Sequence, residues 1–236
     1  MTELTIILLS AWCAGLGGAV GGLGAWPGLG KDTETSTEIM HGTIAFGGGI
    51  LLSAVAFALL PRGMTYLSPL KLGGALCLGG LLFCALDASL SKQGGTKAQF
   101  MAMLMDYVPE ALALGAVFGH DRRLGVLLAA FIGAQNIPEG FNAFRELTAS
   151  GVKPRPAFLS LLAMSILGPL AASIGFFFFQ DQPELTATIM TFASGGILYL
   201  LFQDIAPQAK MKKHWTPALG AVLGFTVGVI GKQLIG

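Results

Sequence analysis

The chain has 236 residues, of which 53% are hydrophobic and only 11% are charged, with a formal net charge of +1. Soluble domains carry about 25% charged residues, so this composition excludes an ordinary soluble globule. The near-neutral charge, without a basic stripe, gives no sign of a nucleic-acid partner. All three cysteines lie in apolar runs, which excludes a disulfide framework. We therefore expect an integral membrane protein whose surroundings are the lipid bilayer.

Apolar runs recur along the whole chain, each with about the 20 residues that a bilayer span requires. The first begins at Leu4 with no basic segment before it, so it is interpreted as a span rather than a signal peptide. Short polar links force neighbouring spans to be antiparallel. The sequence predicts an all-α integral membrane protein in which residues 1–236 form a single transmembrane domain. Its bundle would contain about eight helices: 4–24, 39–60, 69–89, 99–119, 124–144, 157–179, 185–206 and 215–235.

The positive charges in the loops predict the orientation of these spans. Five lie on one side: Arg62, Lys71, Arg122, Arg123 and Lys232. Nine lie on the other: Lys31, Lys92, Lys97, Arg145, Lys153, Arg155, Lys210, Lys212 and Lys213. The richer side is expected to be cytoplasmic. Both termini would then lie outside the cytoplasm, in a plasma or inner membrane.

Two of the spans contain a Pro-Glu pair, within Asp106-Tyr107-Val108-Pro109-Glu110-Ala111 and Gln135-Asn136-Ile137-Pro138-Glu139-Gly140. Carboxylates at bilayer depth are unfavourable, and they mark functional sites when they face a protein interior or a wet cavity. Pro109 and Pro138 lack the N–H that a helix needs, so we expect them to kink the fourth and fifth helices and free backbone carbonyls. Kinked helices at this depth are typical of transporter binding sites.

The antiparallel arrangement of these two spans brings their polar residues together. Residues at equal height have a constant sum of residue numbers, which places Asp106 level with Glu139 and Glu110 level with Gln135. Carboxylates together with amide and carbonyl oxygens suit a divalent cation. Without a cation, repulsion at low dielectric would keep a proton on one carboxylate. The alternative is that these acids are protonated and, like Gln135 and Asn136, only join helices by hydrogen bonds.

Two other sets of residues in the spans have structural interpretations. Gly17-xxx-Gly21 and Gly18-xxx-Gly22 in the first span predict a close contact with another helix. The three histidines, His41, His120 and His214, lie at the ends of spans. We expect them to be membrane-interface residues that do not reach a mid-membrane site.

At the Pro-Glu motifs the chain resembles the ZIP family of divalent metal transporters, whose fourth span carries HNxPEG and whose fifth carries a related motif. The resemblance extends to Leu112-Ala113-Leu114-Gly115, to Ala193-Ser194-Gly195-Gly196 and to Gln203-Asp204-Ile205-Ala206-Pro207, so it covers most of the chain. It implies eight spans with both termini outside, and a metal site midway through the membrane.

Carried over by position, the resemblance implies a site formed by these side chains: Asp106, Glu110, Gln135, Glu139 and, beside them, Asn136. It also implies an ion pathway that includes Tyr107, Gln203 and Asp204, with Asp204 at the cytoplasmic exit. For Asp204 the alternative is a surface acid near the end of its helix.

The chain departs from the family pattern at several ligand positions. Asp106 stands where the family has histidine, Tyr107 where it has asparagine, and Asn136 where it has an acid. Gly168 stands where relatives have a glutamate before proline, and Leu51 lies near the position of a sulfur ligand. We therefore expect one metal ion rather than a bridged pair. Because imidazole favours zinc and oxygen ligands suit manganese, magnesium or ferrous iron, we expect a substrate harder than zinc.

The sequence thus predicts a transporter of divalent metal (zinc, manganese or iron) without an organic cofactor. It predicts no enzyme: an intramembrane aspartyl protease would need a signature context that Asp106 and Asp204 lack. The remaining alternative is a non-transporting relative that serves as a metal sensor or a membrane scaffold. The oligomeric state, including a homodimer, is left open.

Overall fold

The computed structural model describes residues 2–26, 33–92, 98–212 and 214–235, whose regular structure is entirely helical. Eight helical rods correspond to the eight predicted spans. They are α1 Glu3–Gly24, α2 34–66, α3 Pro69–Lys92, α4 Ala98–Phe118, α5 Arg122–Ala149, α6 Pro154–Phe179, α7 Pro183–Ala209 and α8 Thr216–Ile235. Within the described residues, all except α4 are long and apolar enough to cross a membrane. The predicted all-α, multi-pass membrane bundle is confirmed.

Some helices run further than the apolar pattern predicts. α2 begins at Glu34, inside the polar loop between the first two predicted spans (4–24 and 39–60), and α5 continues to Ala149, beyond its predicted end at residue 144. The bounds were predicted from the apolar residues alone. The polar residues next to them continue the helical hydrogen bonds, so both helices are longer than predicted. Residues 27–32 of that loop, which include Lys31, lie outside the described residues, as do Lys97 and Lys213 of the charge count.

Three rods contain a wide turn of π-helix that the apolar pattern does not predict. These turns are Val55–Leu59 in α2, Gly175–Phe179 in α6 and Leu201–Ile205 in α7. The first and last come just before Pro61 and Pro207. Proline cannot donate a hydrogen bond to the preceding turn, so the helix can widen there.

Helices α4 and α5 lie at the centre of the packing. α1 lies along α5, α2 along α8 and α3 along α7, while α4 contacts α5, α6 and α7. The buried core collects around α4 and α5. α3 and α8 expose most of their apolar side chains, as expected for helices that face lipid. Of the α4 side chains that the structure describes, none is exposed, and α5 packs against α1, α2 and α4.

The contact between α1 and α5 depends on glycine. A Cβ at Gly17 would overlap the carbonyl of Gly133, and a Cβ at Gly21 would overlap that of Ile137. The close helix contact predicted from the glycine spacing in α1 is therefore confirmed, with α5 as its partner. This contact fixes the position of the helix that carries Glu139.

His120 and His214 lie in the links between helices, as predicted, whereas His41 lies inside α2, about two turns from its start at Glu34. His41 Nδ1 is 2.5 Å from the carbonyl oxygen of Gln208, where α2 meets the end of α7. His214 Nε2 is 3.1 Å from Glu34, and His120 Nε2 is 3.6 Å from Asp181. Each histidine thus has a polar partner away from the Pro-Glu motifs. None of the three contacts Asp106, Glu110 or Glu139.

Candidate metal centre

Glu110 and Gln135 face each other between α4 and α5. The Gln135 Nε2 donates to both carboxylate oxygens of Glu110, at 2.8 and 2.7 Å. Both side chains are buried. The predicted equal height of these two residues is confirmed, and the amide provides the carboxylate with donors where water is excluded.

Asp106 and Glu139 meet at a small cavity between α2, α4, α5 and α7. Both line it, and its volume is about 10 Å³, which is roughly the space of one water molecule. The half-buried Asp204 lines the same cavity from the π turn of α7. Carboxylates from three different helices thus line one space of single-ion size, although no three His, Cys, Asp or Glu side chains of the described residues lie close enough together to hold a metal ion.

Several buried side-chain oxygens of α4 and α5 have no hydrogen-bond donor. Asp106 Oδ1, Gln135 Oε1 and Glu139 Oε2 are without a hydrogen-bond partner within the described part of the chain. Leaving a buried acceptor unpaired is unfavourable by about 1–3 kcal/mol, and more when it is charged. Such atoms are uncommon and call for an ion, a proton or an ordered water. Their chemistry, hard oxygen ligands in a dry site, fits a divalent cation.

The rest of the cavity wall is apolar. It consists of Leu51, Met103, Ile197, Leu200 and Ile205. Leu51 is thus at the wall, which agrees with its expected place beside the site. Met103 was not predicted to line the cavity. It lies one turn before Asp106, and this spacing is the same for a methionine that packs in the core and for one that lines a cavity.

Asn136 points away from the cavity, although it neighbours Gln135 in sequence. Its Nδ2 donates to the carbonyl oxygen of Ala14 in α1, at 3.0 Å, and the residue is buried. This is the helix-joining role that amides often have in membranes. Asn136 thus holds α1 against α5, while Gln135 faces α4.

Tyr107 also points away from the cavity, into a slot between α1 and α6. Its hydroxyl lies 2.8 Å from the carbonyl oxygen of Ala11 and 3.5 Å from that of Ser165. In a regular helix the carbonyl of Ser165 would accept a hydrogen bond from the N–H of residue 169. That residue is Pro169, which has no N–H. A Cβ at Gly168 would collide with the Tyr107 hydroxyl. The glycine before this proline therefore makes room for the tyrosine ring.

The other predicted residues lie as follows. Gln203 is exposed on α7 and does not line the cavity. Pro109 and Pro138 lie inside α4 and α5, which continue through them as helices. The Pro138 ring packs against Gly47 of α2, and a Cβ at Gly47 would overlap the ring. Pro138 thus sets the approach of α2 to α5 beside the site.

The chain is similar in sequence to a family of zinc transporters. The family model described as ZIP Zinc transporter matches residues 94–235. The chain is 29% identical over 247 residues to "Zinc transporter GufA" of Myxococcus xanthus, covering 94% of this chain and 96% of that protein. It is 26% identical over 256 residues to "Zinc transporter ZIP13" of Pongo abelii, covering 94% of this chain and 77% of that protein. The matched segment includes both Pro-Glu motifs.

Proposed function

Because the chain belongs to the ZIP zinc transporter family, we propose that it moves a divalent metal ion across a membrane through the carboxylate site between α4 and α5. The observation that carries the proposal is the set of donorless acceptors: Asp106 Oδ1, Gln135 Oε1 and Glu139 Oε2. A cation in the cavity would satisfy the unpaired oxygens of Asp106 and Glu139, the two of these residues that line it. The cavity that Asp106 and Glu139 line has single-ion size.

Each side chain has a distinct part in the proposed transport. Asp106 and Glu139 offer their unpaired oxygens to the entering ion. Glu110 is already bonded to Gln135, so an ion that binds Glu110 competes with the amide N–H for the same oxygens. The amide can return when the ion leaves, which keeps the empty site stable. Asp204, on the same cavity from α7, would receive the ion on the way to the cytoplasm.

The site is proposed to hold one metal ion. Tyr107 fills the slot beside the site with its ring and bonds its hydroxyl to α1 and α6. Gly168 contributes no side chain there, and Asn136 is committed to Ala14. These arrangements leave the four side chains Asp106, Glu110, Gln135 and Glu139 as the donor set.

That donor set also bears on the substrate. Its atoms are oxygens, which suit manganese or ferrous iron better than zinc, although the named relatives are zinc transporters. We expect manganese to compete with zinc at the purified protein. The variant Asp106→His, which adds an imidazole, should shift the preference toward zinc. Much tighter zinc binding by the unmodified chain would refute this preference.

The orientation belongs to the same proposal. Arg145, Lys153, Lys210 and Lys212 cluster at the ends of α5 to α7 that would face the cytoplasm of a plasma or inner membrane. Both termini would then be extracytoplasmic. In a chain without its native cysteines, Lys153→Cys should react with an impermeant maleimide only after the cells are opened. Labelling in intact cells would reverse the orientation.

Metal uptake into proteoliposomes tests the transport itself. Manganese, iron, zinc, cadmium and magnesium would be offered to the unmodified chain and to Glu110→Gln and Glu139→Gln. These isosteric changes remove a charge and retain the volume, while Glu3→Gln, at an exposed helix end, is the matched control. We expect both central changes to abolish flux and the control to leave it intact. Metal binding without flux in the unmodified chain would instead favour the sensor or scaffold.

A further inference from the structure

An apolar groove lies on the outside of the bundle, between α2, α7 and the start of α8. Its volume is about 630 Å³, within the roughly 300–1,000 Å³ typical of ligand sites. Gly48 and Leu52 of α2, Phe202 of α7 and Ala218 of α8 line it. Phe202 is 72% exposed, so the groove opens on the outer apolar surface of the bundle.

One end of this groove is basic. Lys210 and Lys212, in the link between α7 and α8, line it together with Trp215. Both lysines are exposed, and neither is in a salt bridge within the described ranges. Trp215 is 84% exposed, and tryptophan prefers the level of the lipid headgroups. The groove therefore runs from a cationic headgroup level down an apolar wall.

The acidic groups at this end are engaged by other residues. His214 lies 3.1 Å from Glu34 and 3.7 Å from Glu38, both at the start of α2. Glu38 also accepts a hydrogen bond from Thr216. These contacts hold the start of α8 to α2, and among the described residues they leave Lys210 and Lys212 without an acidic partner.

We propose that the groove binds an anionic phospholipid, with its phosphate at Lys210 and Lys212 and an acyl chain along α2 and α7. Charge complementarity selects an anionic lipid, and an apolar wall at the bilayer matches its hydrocarbon. A second copy of this chain fits less well, since a two-fold contact on this surface would bring the same lysines together. Ile205 lies in the walls of both the groove and the acid-lined cavity. The acyl chain of the bound lipid would therefore contact the residue that follows Asp204 in sequence.

Quenching of Trp215 fluorescence by brominated lipids tests this proposal. The purified full chain would be reconstituted in phosphatidylcholine vesicles that contain equal fractions of brominated phosphatidylglycerol or brominated phosphatidylcholine. The contribution of Trp215 is the difference from the Trp215→Phe protein. We expect stronger quenching by the anionic lipid, and free glycerol phosphate should not reduce it, because the acyl chain contributes to binding.

Variants separate the headgroup from the acyl chain. Each of Lys210→Gln and Lys212→Gln should lower the preference for anionic lipid by about fivefold in relative affinity. Ala218→Phe fills the exposed wall of the groove and should weaken quenching by both lipids. The matched controls are Lys153→Gln, a positive charge on the same proposed side, and Leu219→Phe, an exposed neighbour that does not line the groove.

The outcomes decide between occupants. Equal quenching of the unmodified chain by the two lipids would overturn the proposal, as would a preference that survives removal of both lysines. Protection of Trp215 from both lipids, in a crosslinked dimer, would assign the groove to a second copy instead. The comparison of the two lipids on the unmodified chain stands even if Ala218→Phe fails to fold.

Discussion

Gly140→Ala is expected to destabilise the protein, because Gly140 lies against the backbone of α1. A Cβ at this position would come within 2.6 Å of the carbonyl carbon of Gly18 and closer still to its oxygen. Carbon atoms pack best at about 3.5–4.0 Å, so α1 and α5 would have to separate by about 1 Å. Backbone cannot rotate away as a side chain can. Overpacking of this kind typically costs about 1–3 kcal/mol.

Thermal unfolding in detergent measures this effect. A loss of about 1–3 kcal/mol lowers the midpoint by roughly 2–12 °C for a chain of this length. Gly74→Ala in α3 is the matched control, since a Cβ there has no neighbour within 4 Å. It should be neutral or slightly stabilising, because alanine is favoured over glycine in helices by up to about 1 kcal/mol. A Gly140→Ala protein as stable as Gly74→Ala would refute the close contact between α1 and α5.

Three further substitutions test other parts of the account. Asn136→Leu removes the hydrogen bond to Ala14 and should lower stability by about 0.6–1.7 kcal/mol in the same unfolding assay, while metal binding persists; lost binding would make Asn136 a ligand. Tyr107→Phe removes the hydroxyl bonded to Ala11 and should cost about 0.5–1.5 kcal/mol, with uptake retained; abolished uptake would place the hydroxyl on the ion path. Asp204→Asn should slow metal uptake on the order of tenfold, or about 1.4 kcal/mol in the barrier, with binding at the central site intact; unchanged uptake would make Asp204 a surface acid.

The central pairing was predictable from the sequence because it depends on few quantities. Short links make α4 and α5 antiparallel, and helical spacing then determines which residues meet. The Glu110–Gln135 hydrogen bonds and the shared cavity of Asp106 and Glu139 follow from that register. The glycine spacing in α1 likewise predicted a close helix contact. The helical repeat of 3.6 residues determines which side chains share a face of a helix. The pairing of α4 with α5 could therefore be predicted without knowing where the other helices lie.

Features that depend on a third helix were not predictable in the same way. Asn136 and Tyr107 are beside the site in sequence, yet each turns toward α1, whose position the spacing within α4 and α5 does not determine. The π turn that carries Asp204 onto the cavity is also absent from the apolar pattern. The sequence does contain Pro207 after that turn and Gly168 opposite Tyr107. Their significance can be interpreted only when the positions of the neighbouring helices are known.

Direct metal titration of the purified chain tests the central claim, that the side chains between α4 and α5 form the metal site. Manganese would be titrated by calorimetry into the unmodified protein and into the double variant Glu110→Gln/Glu139→Gln, with thermal unfolding to show that both are folded. The account predicts one ion bound per unmodified chain and none per double variant. Undiminished binding by the folded double variant would contradict it, since the metal would then be held elsewhere.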